Sequence, residues 1–228
     1  MALTFITWFW GHKYPAEDII KLATGLKRNS NQQFRFVVFS QHDLQFGHYD
    51  FIEVAKLTDE KLIGQGCFCR LRMFDPTWQA WHGFNDRIVS VDLDLIVTDN
   101  IDALFNSNEP FKILQHVNAV NPNPFNCSLM LLRAGQCSEV WTDFNLEKVK
   151  TIPFHEFPDD QGWIWHKLPK AKGWNGGVAS GIYAFQKPGW PRGNHLPHNA
   201  KMVAFIGWRK PVQFKHLDWV NQNWRVGL

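Results

Sequence analysis

Two aspartates, Asp92 and Asp94, directly follow the apolar segment RIVSV at residues 87–91. That segment is typical of a strand buried on both faces. Like charges this close repel each other, and burying either carboxylate alone is costly. A divalent cation removes both problems, because Mg²⁺ and Mn²⁺ prefer oxygen ligands and bridge carboxylates to phosphates. The pair therefore predicts a metal site for a nucleotide diphosphate, although two solvated acids on a surface turn fit the same pattern.

The segments around this pair predict an α/β fold. Continuous apolar runs predict strands at 3–8, 34–40, 51–57, 87–92, 111–115, 125–133 and 201–208. Periodicity and capping signals predict helices at 15–29, 66–81, 136–149 and 216–224, with another short helix before Phe105. The alternation indicates a mostly parallel sheet with helices on both faces. In such sheets ligands bind beyond the carboxyl ends of the strands, where Asp92 and Asp94 fall.

We predict one domain over residues 1–228, with a Rossmann-like nucleotide-binding part to about residue 105 and an acceptor-binding, closing part from about 106. Residues 167–181 and 187–199 are rich in Pro and Gly and are predicted to be loops over the sheet face. Acceptor specificity is expected to reside in these loops.

Composition excludes several classes of protein. The net charge is +3 without a basic cluster, which argues against a nucleic-acid binder. No apolar run reaches the length of a membrane span, and the N-terminus lacks the basic region of a signal peptide. The four cysteines lack zinc-site spacing and predict reduced thiols in a cytoplasmic protein. The 12 tryptophans suit sugar rings and nucleobases, although filling a core is their commoner role.

The segment DRIVSVDLDLIVTDNIDALF, residues 86–105, resembles the D-x-D segment of the glycogenin-like retaining glycosyltransferases of family 8, which have the GT-A fold. Five more segments resemble that family in the same order along the chain: FITWFWGHKY, CRLRMF, FNCSLMLL, DDQGWI and KMVAFIGWRKP. Together they run from residue 5 to residue 211. The abundant tryptophans and the opening WFWGHKY suggest a smaller bacterial or viral branch.

The resemblance implies transfer of a hexose, with retention, from a UDP-linked sugar to a hydroxyl of a glycan or other acceptor. It implies that Tyr14 packs on the base, Arg70 contacts the donor and Lys210 reaches the diphosphate. Asn126 would face the donor sugar and Asp160 would lie near the reacting carbon, although Asp160 also suits a helix N-cap. No nucleophile matches, so front-face attack assisted by the diphosphate is expected. The implied donor-binding set is Thr7, Trp8, Trp10, Gly11, Tyr14, Arg70, Asp92, Leu93, Asp94, Gly207 and Lys210, with Asp92 and Asp94 also holding Mn²⁺ or Mg²⁺.

Two positions depart from the family pattern. The histidine that is its third metal ligand falls on Ala204 or Ile206, and Cys127 replaces a serine. Metal binding would then depend on Asp92, Asp94 and the donor's phosphate oxygens. A catalytically weak or inactive protein that binds nucleotide sugars or glycans is therefore the main alternative.

A D-x-D after a strand is also found in phosphatases of the haloacid dehalogenase type, which would use Asp92 as the nucleophile. In those enzymes, however, the motif usually lies on the first strand, whereas here it lies in mid-chain. An interaction protein without a ligand site is the last hypothesis that the sequence leaves open.

Overall fold

A seven-stranded sheet forms the centre of the computed structural model, which describes residues 3–58, 62, 66–118, 122–152 and 159–228. The strands of the protein are β1 (Leu3–Phe9), β2 (Phe34–Ser40), β3 (Ile52–Lys56), β4 (Arg87–Val91), β5 (Leu95–Val97), β6 (Phe111–Gln115), β7 (Phe125–Arg133), β8 (Lys172–Asn175), β9 (Ile182–Ala184) and β10 (Met202–Ala204). The central sheet has the order β3-β2-β1-β4-β7-β6-β8. Four of its six neighbouring pairs are parallel, while β7 runs antiparallel to β4 and β6. This confirms the predicted α/β class.

Short helices connect the strands. The α-helices among the described residues are α1 (Glu17–Arg28), α2 (Pro76–Trp81), α3 (Glu139–Thr142), α4 (Leu146–Val149), α5 (Asp160–Lys167) and α6 (Asp218–Asn223). In the part of the chain that the structure describes, 3₁₀ helices span Gly66–Phe74, Asp102–Phe105 and Pro211–Phe214. No helix in the described ranges is long and apolar enough to cross a bilayer.

Strand β1 is buried along its whole length, because both faces of the sheet are covered. Its alternate residues point to opposite faces, as the strand pleat requires. Phe5 and Phe9 join the core cluster that contains the apolar face of α1. Ile6 and Trp8 join the cluster that contains the apolar residues of the 3₁₀ helix Gly66–Phe74. The sheet is therefore the buried centre of the fold, and the polar segments follow the carboxyl ends of its strands.

A second, three-stranded sheet of order β5-β10-β9 brings distant segments to that edge. Strand β5 begins directly after Asp94, and Leu95 pairs with Ala204 at the end of β10. The backbone N–H of Phe205 donates to the carbonyl oxygen of Asp94 at 3.1 Å. The D-x-D segment therefore lies beside the loop that contains Gly207 and Lys210.

Two predicted helices are each divided in the structure. Residues 66–81 form a 3₁₀ helix and then α2, because the Asp75 carboxylate accepts a hydrogen bond from Thr77 N and Pro76 starts a new helix. Residues 136–149 form α3 and α4, where the side chain of Asn145 caps the N-terminus of α4.

The segment 167–181, predicted to be a loop, contains the edge strand β8. Gly173 permits this pairing, because a Cβ there would meet the carbonyl oxygen of Ile113 at 2.2 Å. Strand β9 follows the same segment and was also missed. The division of the chain near residue 105 remains a prediction.

Candidate functional site

A polar cleft of about 220 Å³ lies at the carboxyl ends of β1 and β4. Asp92 follows the last residue of β4, as the sheet rule predicts. Several separate segments of the chain contribute to its wall, and the described residues among them are Lys13, Tyr14, Cys67, Arg70, Asp92, Asp94, Asn126, Cys127, Ser128, Asp159, Asp160, Gln161, Phe205, Ile206, Gly207 and Lys210.

Asp94 is 5 % exposed and accepts two hydrogen bonds on one oxygen. Tyr14 donates its hydroxyl to Asp94 Oδ2 at 2.7 Å, and Lys210 Nζ donates to the same oxygen at 2.5 Å. Lys210 Nζ also lies 3.0 Å from the Tyr14 hydroxyl and 3.0 Å from the carbonyl oxygen of Gly207. Gly207 has φ +76°, a conformation that glycine adopts without strain. The loop thus places a cation directly on the second aspartate of D-x-D.

Arg70 connects Asp92 to Asp160. Its Nη1 donates to Asp92 Oδ1 at 2.6 Å, and its Nε lies 2.6 Å from Asp160 Oδ2. The second contact is an ion pair without hydrogen-bond alignment. Asp160 is 1 % exposed and begins α5, while the N-cap role falls to Asp159, whose carboxylate accepts from Gly162 N. The guanidinium therefore bridges two carboxylates from different segments.

Burial and the neighbouring Asp92 carboxylate raise the pKa of Asp94, although Lys210 and Tyr14 act in the opposite direction. Burial also raises the pKa of Tyr14, which keeps its hydroxyl protonated and donating. Burial opposes the charge of Arg70, but Asp160 and Asp92 prevail and raise its pKa well above the usual value. Burial and then repulsion by Lys210 lower the pKa of Lys13. Carboxylates and cations therefore lie side by side in the cleft, and these charges influence the pKa values of Asp94, Arg70 and Lys13.

The β7 wall of the cleft is formed by Asn126, Cys127 and Ser128. Asn126 is 6 % exposed, and its Oδ1 accepts from the backbone N–H of Ser128 at 3.1 Å, which orients the carboxamide. The carbonyl oxygen of Ser128 in turn accepts from Asp92 N at 3.0 Å. Burial raises the pKa of the Cys127 thiol well above its usual value, so this side chain lines the cleft as an uncharged thiol.

The structure brings eight of the predicted site residues together in the cleft wall: Tyr14, Arg70, Asp92, Asp94, Asn126, Asp160, Gly207 and Lys210. Others have different places. Thr7 and Trp8 lie in the core, where Thr7 Oγ1 donates to Val91 O and Trp8 Nε1 donates to Ser90 Oγ. Leu93 is also buried in the core.

Trp10 packs at the edge of the core, and Gly11 forms a turn with φ +62°. Neither residue is part of the cleft wall. Thr7, Trp8 and Leu93 are buried, and their side chains are not part of the cleft wall.

Lys13 was not among the predicted site residues, although it lies directly before Tyr14 in the segment WFWGHKY. Its ammonium lies 5.2 Å from the centre of the Tyr14 ring, and Lys210 lies 5.1 Å from that ring. A basic residue beside Tyr14, which the family resemblance implies packs on the base, was the available signal. The missed residues Cys67, Asp159 and Gln161 carried a weaker one, since each is adjacent to a matched motif position or within three residues of one.

Within the described ranges, no group of three or more His, Cys, Asp or Glu side chains is arranged to hold a metal ion. Ala204 is fully buried in β10, whereas Ile206 lines the cleft. An apolar side chain thus lies on the loop near the two aspartates. Asp92 and Asp94 still offer the hard oxygen ligands that suit Mg²⁺ or Mn²⁺, a cation that often completes its coordination with substrate phosphates and water.

Solved structures that resemble this chain include two crystal structures of LgtC. One is the galactosyltransferase LgtC in complex with donor and acceptor sugar analogues, and the other is an active-site glutamine-to-glutamate mutant of LgtC. Each has a TM-score of 0.62 and 13% sequence identity, and the match covers 100% of this chain and 98% of LgtC. No protein-family model and no curated protein matches the chain. The likeness confirms the predicted GT-A glycosyltransferase fold.

Proposed function

We propose that this chain is a glycosyltransferase that moves a hexosyl group, with retention, from a UDP-linked sugar to an acceptor hydroxyl. The observation that carries the proposal is the meeting of Asp92 and Asp94 with Arg70 and Lys210 in one cleft. This cleft lies at the carboxyl edge of a sheet whose fold is shared with a galactosyltransferase. LgtC was crystallised with donor and acceptor sugar analogues, which supports a nucleotide sugar and a saccharide as the two substrates here.

The donor diphosphate would bind beside Lys210 and Lys13. Both lysines line the cleft and have flexible stems, so Lys210 can turn from Asp94, and Lys13 from the Tyr14 ring, to phosphate oxygens. Positive charge at this place stabilises the negative charge that develops on the leaving diphosphate. The ring of Tyr14 would pack on the base of the donor, as the family resemblance implies, while the Tyr14 hydroxyl still donates to Asp94.

A divalent cation fits Asp92 and Asp94 once the donor is present. The described residues of the wall carry four carboxylates against the three cations Lys13, Arg70 and Lys210, so a diphosphate adds negative charge to a site with a negative balance. When bound, Mg²⁺ or Mn²⁺ supplies the positive charge that assists departure of the diphosphate. Because Ile206 offers no ligand, the donor's phosphate oxygens would complete the coordination of the cation.

Arg70, Asn126 and Asp160 would hold the donor sugar at the inner end of the cleft. In the transfer, the bond from the anomeric carbon to the β-phosphate oxygen breaks and a bond to the acceptor oxygen forms on the same face. The acceptor's hydroxyl proton passes to an oxygen of the departing diphosphate. Asp160 and Asn126 contribute by positioning, since the Arg70 ion pair and the Ser128 hydrogen bond fix their side chains.

A thermal-shift screen of nucleotide sugars, each with and without Mn²⁺, followed by measurement of UDP release, tests this function. We expect UDP-sugars with Mn²⁺ to raise Tm and to release UDP. Stabilisation without UDP release or transfer would instead support a protein that only binds nucleotide sugars, which the apolar Ile206 favours. A cytoplasmic location remains part of the proposal, in agreement with four free cysteines.

A further inference from the structure

Trp208 is an exposed indole on the loop that closes the cleft. It is 71% exposed and lies between two residues of the cleft wall, Gly207 and Lys210. Tryptophan is enriched at interfaces because its large apolar ring and its N–H suit a contact that is partly wet, so an exposed indole beside a polar cleft is a candidate ligand contact. The other highly exposed indole, Trp81, is 86% exposed and ends α2, outside the wall of the cleft.

A chain of contacts orients the loop that contains Trp208. The guanidinium of Arg209 lies 4.8 Å from the centre of the Trp208 ring. Arg209 Nε donates to Gln186 Oε1 at 3.2 Å, and Gln186 Nε2 donates to Asn194 Oδ1 at 2.7 Å. Gln186 itself has φ +54°, a conformation that a non-glycine residue adopts infrequently. The surrounding segments therefore hold the indole at the rim rather than leaving it as a loose side chain.

We propose that Trp208 is a stacking platform for a glycosyl residue of the acceptor, an inference that rests on the proposed transfer reaction. The interior of the cleft is lined by charged groups and suits the diphosphate and sugar of the donor. The acceptor must enter from the open side, past the rim. An indole there binds the C–H face of a pyranose ring, while the sugar hydroxyls remain in water or reach the polar wall. Trp208 thus contributes to the choice of acceptor rather than to bond breaking.

Saturation-transfer NMR with methyl β-galactoside, methyl α-glucoside, lactose and maltose, in the presence of UDP and Mn²⁺, tests this role. The variants are Trp208→Ala, Trp208→Phe and, as a matched control, Trp81→Ala. We expect at least one saccharide to bind the unaltered protein and Trp81→Ala equally. Trp208→Ala should weaken that binding about three- to tenfold, and Trp208→Phe should retain part of it.

Three outcomes overturn the proposal. No saccharide binds the unaltered protein, or Trp208→Ala binds the saccharide as tightly as the unaltered protein, or Trp208→Ala loses affinity for UDP by the same factor as for the saccharide. The last outcome would assign the indole to the donor. UDP release from UDP-sugars with Mn²⁺, measured on the unaltered protein both without acceptor and with each saccharide, tests the proposed function separately. A protein that binds saccharide through Trp208 but releases no UDP would reject the transferase function and keep the platform.

Discussion

Lys210 Nζ lies 2.5 Å from Asp94 Oδ2, although the two residues are 116 positions apart. The ammonium thus occupies the carboxylate oxygen that a divalent cation would use as a ligand. It can leave only if another anion receives it, because an unpaired ammonium in this partly buried position is costly. A donor diphosphate is such an anion. Donor and cation are therefore expected to bind cooperatively.

Replacing Lys210 should strengthen metal binding in the absence of UDP rather than weaken it. In Lys210→Met the competing ammonium is absent, so Mn²⁺ should bind without UDP at least fivefold more tightly than in the unaltered protein. UDP should bind more weakly. Titration of free Mn²⁺ by electron paramagnetic resonance measures both, with and without UDP. The exposed Lys215 provides the control variant Lys215→Met, and unchanged Mn²⁺ affinity in Lys210→Met would contradict the competition.

Asp94→Asn should reduce UDP-sugar turnover by about 100-fold or more, because it removes the carboxylate that holds Lys210 and would hold the cation. The measurement is UDP release with Mn²⁺ at saturating donor. Asp99→Asn is the matched control, since Asp99 is an exposed carboxylate five residues further along the chain. Full turnover by Asp94→Asn with Mg²⁺ or Mn²⁺ would show that the mechanism is wrong.

The same substitution should increase stability at neutral pH, because it removes a buried charge while Lys210 keeps the Tyr14 hydroxyl and the Gly207 carbonyl as acceptors. The pKa of Asp94 is raised in the folded protein, chiefly by burial, so the ionised carboxylate favours unfolding. Its stabilising contribution is present in acid, below the unfolded pKa of about 3.9, and is lost as pH rises through the folded pKa. Asp94→Asn should therefore melt higher than the unaltered protein at pH 7, by about 2–4 °C for each 1 kcal/mol. The difference should disappear toward pH 4 in calorimetric melting curves, and a lower Tm at pH 7 would contradict this.

Most of the candidate site was predictable because the relevant residues follow strand ends. Asp92 and Asp94 follow β4, and the carboxyl edge of a largely parallel sheet gathers such positions. The side-chain direction of β1 was not predictable. A strand with both faces covered reads as a continuous apolar run, so the sequence does not reveal that Thr7 and Trp8 point into the core.

Contacts between distant segments were also not predictable from the sequence. Nothing in the local sequence indicates that Arg70 would pair with Asp160, or that β10 would bring Lys210 to Asp94. Strand β8 was missed because a polar edge strand has no apolar alternation, and its pairing depends on the close approach of Gly173 to β6. Local periodicity identifies buried elements, whereas long-range pairing determines the site.

Two glycine-to-alanine changes should have opposite effects on stability. A Cβ at Gly173 would meet Ile113 O at 2.2 Å, so Gly173→Ala should force β8 away from β6 and cost about 2 kcal/mol or more. A Cβ at Gly25, inside α1, would make only ordinary contacts at 3.8 Å, so Gly25→Ala should stabilise the helix by about 0.5–1 kcal/mol. Urea unfolding of both variants measures the effects, and a stabilised Gly173→Ala would contradict the assigned β8 pairing.

Arg70 is expected to support both the structure and the site, because it holds two carboxylates at once. Arg70→Met should destabilise the protein by about 3–5 kcal/mol, since the buried Asp160 would keep an unpaired charge. Arg70→Lys should fold better but turn over donor at least tenfold more slowly, because one ammonium cannot reproduce the planar fork.

Arg72→Met is the control for Arg70, since Arg72 pairs with Asp75 and stacks on Trp141 nearer the surface, so its loss should cost less than the loss of Arg70. Adding Asp160→Asn to Arg70→Met should restore part of the lost stability, because it removes the unpaired charge. Urea unfolding and UDP release check these effects. If Arg70→Met were as stable as Arg72→Met, or Asp160→Asn gave no recovery, the ion pair between Arg70 and Asp160 would not be the interaction that holds α5 against the cleft.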